Sequence, residues 1–231
     1  MVTSMEIWSN IALILGAYLL GSAPHLVALS KIRGINLNGD LHISLWRKGG
    51  RLVGGTGILF EFAKGIIPVL VGRSLGFSLL VVTLAGLAAV IGQMWPIFSQ
   101  FDGEKGNSIG LAMATALAPY PLLIALVPIA IGIAIRTVPR LLDSRQSLNE
   151  RLKLGGPSSR SLPLGMAIGF VVLPIASWWL REPMVITLGF LLLFILIMMR
   201  RLTAGLRGDL AVSTRIGNIL VNRLLYDRSY R

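Results

Sequence analysis

Apolar residues in this chain come in runs close to 20 residues long, separated by short pieces that carry most of the charge. A bilayer core asks a helix for about 20 consecutive apolar residues. Such runs lie near 7–29, 53–72, 76–98, 122–138, 162–180 and 184–200. A seventh, GNSIGLAMATALAP at 106–119, is short and ends at Pro119 and Pro121. Of 231 residues, 54% are hydrophobic and 14% charged, whereas ordinary soluble domains are about a quarter charged. Too few polar side chains exist to cover a water-facing globule. Backbone polar groups in hydrocarbon must be bonded within their own segment, which a helix achieves. The fold class is therefore an all-α integral membrane protein.

The number of crossings follows from the cations. If 106–119 crosses and the N-terminus faces outside, the loops 30–52, 99–106 and 139–161 and the tail 201–231 share one side, with Arg136 and Arg200 at adjoining helix ends. That side then gathers 19 of the 22 Lys and Arg residues, leaving Arg73 and Arg181 opposite and Lys64 within a span. Without that crossing, the basic halves fall on opposite faces. Short loops rich in Lys and Arg stay in the cytoplasm, so about seven transmembrane helices are expected, the fourth of them short, with a cytoplasmic C-terminus. A helix too short for the bilayer must be shielded by protein or a water-filled cavity. The opening MVTSMEIWSN has no basic n-region, and the first run reads as a retained span rather than a signal peptide.

Two basic segments outside the spans suggest interfacial helices. One is 139–161, which reads equally as a solvated loop. The other is the tail, where Leu210, Val212, Ile216, Ile219, Leu220 and Leu224 recur at near-helical spacing opposite Arg215, Asn218 and Arg223. The domain reading is a transmembrane region at 1–205 and a basic amphipathic cytoplasmic tail at 206–231. There is no internal repeat.

Several chemistries are excluded. The chain has no cysteine, so disulfides, thiolate catalysis and cysteine metal sites are out of reach. His25 and His42 are its only imidazoles, too few for a His-rich metal site. The net charge of +12 is spread over membrane loops rather than gathered on one domain with interleaved aromatics, which argues against nucleic acid and for anionic lipid or phosphate as partners.

Four polar clusters stand where polarity is costly. In LLGSAPHLVALSKIRG (19–34), Ser22, Pro24 and His25 interrupt the first span; a proline kink with the freed carbonyl satisfied by Ser22 is the expectation. In FEFAKGIIP (60–68), Glu61 and Lys64 lie one turn apart inside a span, where ionisable groups face the interior and pair; a structural ion pair and a functional carboxylate both fit. In HISLWRKGGRLVGGTG (42–57), Arg47, Lys48 and Arg51 share a loop with Ser44 and five glycines. Headgroup attraction would explain the cations but not the glycines. In SQFDGEKGNSIG (99–110), Lys105 stands between Gly103 and Gly106 with Ser108 following at a helix start. The string has the parts of a phosphate cradle and equally those of a simple turn. It is not a P-loop, since the spacing is wrong and no strand precedes it.

Together these strings resemble the bacterial acyl-phosphate:glycerol-3-phosphate acyltransferase family (PlsY). That family carries LLGSIP, DLLKG followed by a proline, GHxFPxFLxFKGGKGVAT and RLLxG in order. This chain has LLGSAP at 19–24, EFAKGIIP at 61–68, GQMWPIFSQFDGEKGNSI at 92–109 and RLTAG at 201–205. The departures are as specific. The family's GSGNxGATNVLR loop is not recognisable in 39–51, although SLWR at 44–47 can be laid over its end. Its histidine before FP is Gln93, the first Lys and second Gly of KGGKG are Asp102 and Glu104, and a late HxxNI falls on Ile195, Met198 and Met199.

The resemblance implies seven helices with a short fourth one, in the bacterial cytoplasmic membrane. It also implies acyl transfer from acyl phosphate to glycerol 3-phosphate, giving lysophosphatidate, without metal or cofactor. Lys105 and Arg47, and Lys48 beside it, are then the phosphate ligands, with Gly103, Gly106 and Ser108 shaping a helix-start anion site and Ser44 offering a hydrogen bond. Gln93 and Glu61 are the candidates for orienting the attacking hydroxyl, Glu61 being the only possible base of the two, and Ser22 offers a further hydrogen bond. Asp102 and Glu104 should face cytoplasmic loops, leaving Lys105 on the pocket side with Arg47. The replaced residues leave open a catalytically silent relative that binds phospholipid or acyl phosphate or regulates an active copy. A transporter is disfavoured because the spans show no repeated halves. The distribution of cations predicts that a reporter fused to the C-terminus is active only on the cytoplasmic side; an external reporter would overturn the odd number of crossings.

Overall fold

A computed structural model describes residues 4–36, 41–143, 160–211 and 216–227. Among them the regular elements are all helical: α1 (Ser4–Ser22), α2 (His25–Ile32), α3 (Leu41–Ser74), α4 (Leu79–Met94), α5 (Asn107–Leu117), α6 (Pro119–Leu142), α7 (Ser161–Trp179), α8 (Met184–Thr203), α9 (Leu206–Leu210) and α10 (Ile216–Tyr226), with a 3-10 turn at Ile97–Ser99. Six of these, α1, α3, α4, α6, α7 and α8, are long and apolar enough to cross a membrane, and α5 is the shorter apolar helix. The short fourth segment of the sequence is thus a helix, stopped at Ala118, whose extended backbone separates it from Pro119. The residues of the segment 139–161 from 144 to 159 lie outside the described residues.

The basic stretch 30–52, read from sequence as a loop, is largely helical. α2 runs to Ile32, and α3 starts at Leu41 and breaks only at Gly50, where φ is 82°. That conformation comes at little steric cost only to glycine. The stretch before the break is anchored by Leu45, which packs with Leu26 and Val53.

The chain divides into two compact units, residues 1–119 with 183–189, and residues 120–182 with 190–231. In the first, α1 lies against α4 at backbone contact. A Cβ on Gly21 would sit 2.0 Å from Ala89 O, and one on Gly92 2.2 Å from Tyr18 O. Tyr18 Oη also donates to Trp95 O at 2.8 Å. Membrane helices associate through such small residues because lipid gives no hydrophobic drive between them. α5 packs on α3 at Gly65, whose Cβ would meet Ile109 O at 2.5 Å. Its last carbonyl, Leu117 O, accepts a 2.6 Å bond from Arg73 at the end of α3. In the second unit α6 and α7 meet in the same way, Gly165 against Pro128 O and Gly132 against Ser161 O, each at 2.6 Å from a hypothetical Cβ.

Gly21→Leu should push α1 off α4. The expected loss is about 1–3 kcal/mol or more, read as a lower unfolding temperature in detergent, with Gly16→Leu, where nothing lies within 4 Å, as the neutral control.

Candidate active site

The break between α1 and α2 opens the first unit. Pro24 has no N–H, and Ala23 and Pro24 stand outside both helices. Ser22, expected to satisfy the freed carbonyl, instead donates to Tyr18 O one turn back at 2.9 Å. The carbonyls at the break are taken by Lys64, whose ammonium donates to Gly21 O at 3.2 Å and Ala23 O at 2.5 Å. The ammonium of a lysine inside a span is thus received by two carbonyl dipoles.

One turn before Lys64, Glu61 is 1% exposed. Its Oε1 accepts a short hydrogen bond from Gln93 Nε2 in the last turn of α4, and the same amide donates to Glu104 Oε2 at 3.3 Å. Gln93 therefore spends both amide hydrogens on two carboxylates, and its own buried Oε1 has no hydrogen-bond partner among the described residues. The loop that carries Glu104 is fixed by its backbone. Glu104 N donates to Gln93 O at 3.1 Å, and a Cβ on Gly103 would lie 2.1 Å from that oxygen. Gly106, with φ of 74°, caps α5, and any side chain there would strike Met94.

These groups converge on a cavity of about 200 Å³ whose walls include Ser22, Pro24, His25, Glu61, Lys64, Gln93, Asp102, Gly103 and Glu104. Ser22, Glu61, Gln93 and Gly103 are thus brought together as the sequence suggested. Lys105, Arg47, Lys48, Ser44, Gly106 and Ser108 are not on the walls. Arg47 and Lys48 are exposed and Lys105 half-buried, and Lys48 donates to Asn36 O at 2.6 Å. The expectation that Asp102 and Glu104 turn away from the pocket is corrected, since both line it. The cause is the clamp of residues 103–104 onto the end of α4, which swings Glu104 onto the Gln93 amide.

His25 was legible only as an interruption of the first span. It stands at the start of α2, outside the six spans, and its Nε2 lies 3.1 Å from Gly57 O, a contact that requires Nε2 to carry the proton. Burial, and after it the Lys64 charge, hold its pKa below the ordinary 6.5. Nothing in the local sequence announces Gly57 as its partner. The cavity is acidic on balance. Carboxylates and the Gln93 oxygen can accept hydrogen bonds from hydroxyl groups and take up a proton, but an anion needs cations from elsewhere.

Fold and cavity together define a polytopic helical membrane protein with a buried carboxylate–amide site beside a broken helix. The family model for glycerol-3-phosphate acyltransferase matches residues 11–206, and the chain belongs to that family. It is 27% identical to glycerol-3-phosphate acyltransferase 5 of Dehalococcoides mccartyi over 96% of this chain and 89% of that protein. It is 40% identical to the glycerol-3-phosphate acyltransferase of Geobacter metallireducens over 50% of this chain and 62% of that one. The fold agrees with the crystal structure of PlsY (YgiH), an integral membrane glycerol 3-phosphate acyltransferase, in its lysophosphatidic acid form. The TM-score is 0.68, at 24% identity over 96% of this chain and 95% of that one.

Because the fold favours neutral His25, its contribution to stability is present above pH 6.5 and is lost as the pH falls through the lowered value. His25→Gln keeps a donor for Gly57 O and cannot titrate, so it should lose less thermal stability than the wild type as the pH falls from about 7.5 to about 5, across the ordinary imidazole value. An equal loss in both proteins would contradict the assignment.

Proposed function

We propose that this protein transfers an acyl group from acyl phosphate to glycerol 3-phosphate, releasing phosphate and forming lysophosphatidate. Family membership over residues 11–206 carries the reaction. The convergence of Glu61, Gln93 and Ser22 on one cavity supports the roles given to them. The relatives' names favour an enzyme over a silent binding protein.

The acidic cavity takes the hydroxyl end of glycerol 3-phosphate. Its hydroxyl donates to Glu61, and the remaining hydroxyl finds an acceptor in Gln93 Oε1, with Ser22 beside it. The phosphate stays outside these carboxylates, held by Lys105, Arg47 and Lys48, with Ser44, Ser108 and the start of α5 at Gly106 completing its shell. The hydroxyl oxygen attacks the acyl carbon as Glu61 takes its proton. The bond from that carbon to the phosphate oxygen breaks, and phosphate leaves with the electron pair. Glu61 then returns the proton to phosphate or water. The donor is already activated, so positioning and charge stabilisation supply most of the acceleration, and no covalent enzyme intermediate is needed. The reaction would face the cytoplasm, with the N-terminus outside and the C-terminus inside.

The test is acyl transfer by the purified protein from acyl phosphate to labelled glycerol 3-phosphate. Glu61→Gln should lower kcat by about 10²-fold or more with a smaller effect on KM. Lys105→Ala should raise KM for glycerol 3-phosphate more than about tenfold, or about 1.4 kcal/mol. Absence of transfer by the wild type would overturn the reaction, and an unchanged KM in Lys105→Ala would remove that lysine from the phosphate site.

A further inference from the structure

The tail helix α10 departs from the sequence expectation at Arg223. Arg223, placed by periodicity on the polar, outward side, is buried together with Ile219, while Ile216, Leu220, Val221 and Leu224 are exposed, Ile216 and Val221 at 55% each. A set of reciprocal contacts fixes this rotation. Arg223 of α10 reaches the end of α8, donating to Ala204 O and, at 3.5 Å, to Arg201 O, while Asp209 of α9 holds its guanidinium in a short ion pair. In return Arg201 of α8 donates to Leu224 O near the end of α10 at 3.3 Å and to Pro163 O of α7 at 3.1 Å, with Asp227 at 4.0 Å. Each arginine thus satisfies the last carbonyls of the other's helix, where helix ends favour cations. Arg160, beside the start of α7, lies over the Tyr226 ring at 5.4 Å.

A helix pinned through its arginine can only show its leucines outward. We propose that the exposed Ile216–Leu220–Leu224 stripe, with Val221, is an interfacial anchor inserted into the anionic surface of the bilayer leaflet at which α8 ends. Two observations select that occupant. α8 is itself long and apolar enough to span, and the contacts with Arg201 and Ala204 hold α10 at the level where α8 leaves the hydrocarbon. Residues 200–231 also carry seven arginines against two aspartates, a balance attracted to anionic headgroups. An apolar stripe at this level settles about 5–10 Å into the boundary between headgroups and acyl chains.

Because the chain has no cysteine, single labels can be placed in the full-length protein. Leu220→Cys, Val221→Cys, Leu224→Cys and, as the reference, Asn218→Cys are labelled with a fluorophore and reconstituted in vesicles of phosphatidylglycerol and phosphatidylcholine. The three apolar positions should be quenched by nitroxide-bearing acyl chains and protected from iodide, with the fluorophore emission shifted to the blue, whereas Asn218→Cys stays open to iodide. Iodide access at Val221 and Leu224 would overturn the proposal. Exclusion of both quenchers would overturn it as well, since protein, either another segment or a second copy, would then cover the stripe. Asp209→Asn in the Leu224→Cys background should reduce lipid quenching by releasing Arg223; unchanged quenching would refute the rotation fixed by the arginines.

Discussion

The first unit depends on one ammonium group. Lys64 donates to Gly21 O and Ala23 O, two carbonyls that the break at Pro24 leaves outside regular helix bonding. Ala23 O also accepts from His25 N at 2.9 Å, so Gly21 O is the carbonyl that depends most on the ammonium; an unbonded carbonyl in an apolar setting costs a few kcal/mol, and so does a buried lysine charge. Each of these liabilities is the remedy for the other. With the break stabilised, α2 can depart from the line of α1 and α4 can run past it, bringing Gln93 and Glu61 into hydrogen-bond contact. A single ion–dipole contact thereby sets the geometry of the cavity walls.

The carboxylate–amide cluster rests on that arrangement. An amide has two hydrogens to donate and one oxygen to accept with. With both hydrogens directed at Glu61 and Glu104, the orientation of Gln93 is determined, because the reverse rotamer would set its oxygen against carboxylates. The departures from the family strings at 93 and 104 thus belong together. A residue that donates twice replaces the imidazole, and a carboxylate positioned to receive the second hydrogen replaces a glycine.

Much of this was legible in the sequence, for identifiable reasons. Span lengths could be read because hydrocarbon imposes a length rule, and the short helix at 106–119 because the cations gather on one side only if it crosses. Glu61 and Lys64 stood out because polar groups are rare in apolar runs, and Gln93 through the resemblance. What could not be read were partners distant along the chain. Lys64 meets Gly21 and Ala23 across 43 and 41 positions, and backbone carbonyls leave no mark in residue type. Glu104 was misplaced because charge was reasoned against an anion, while the clamp of its own backbone on Gln93 O decides its direction. Arg223 was misplaced because periodicity identifies an apolar face and not which face the protein covers; the nearby helix ends made the arginine the buried side.

The bond from Arg73 to the last carbonyl of α5 sets a depth. Arg73 stands one residue before the end of a spanning helix, so Leu117 lies near the boundary of the bilayer on that side. From there α5 runs back for 11 residues, about 16 Å at 1.5 Å per residue, against a hydrocarbon thickness of about 30 Å. Reaching at most about 16 Å from that boundary, its first turn falls well short of the opposite face. Water entering from the opposite side has to descend to that depth, while an acyl chain dissolved in the surrounding leaflet is already level with it. A solute confined to water and a reactant confined to lipid can then meet at one place without either being transferred into the other's solvent.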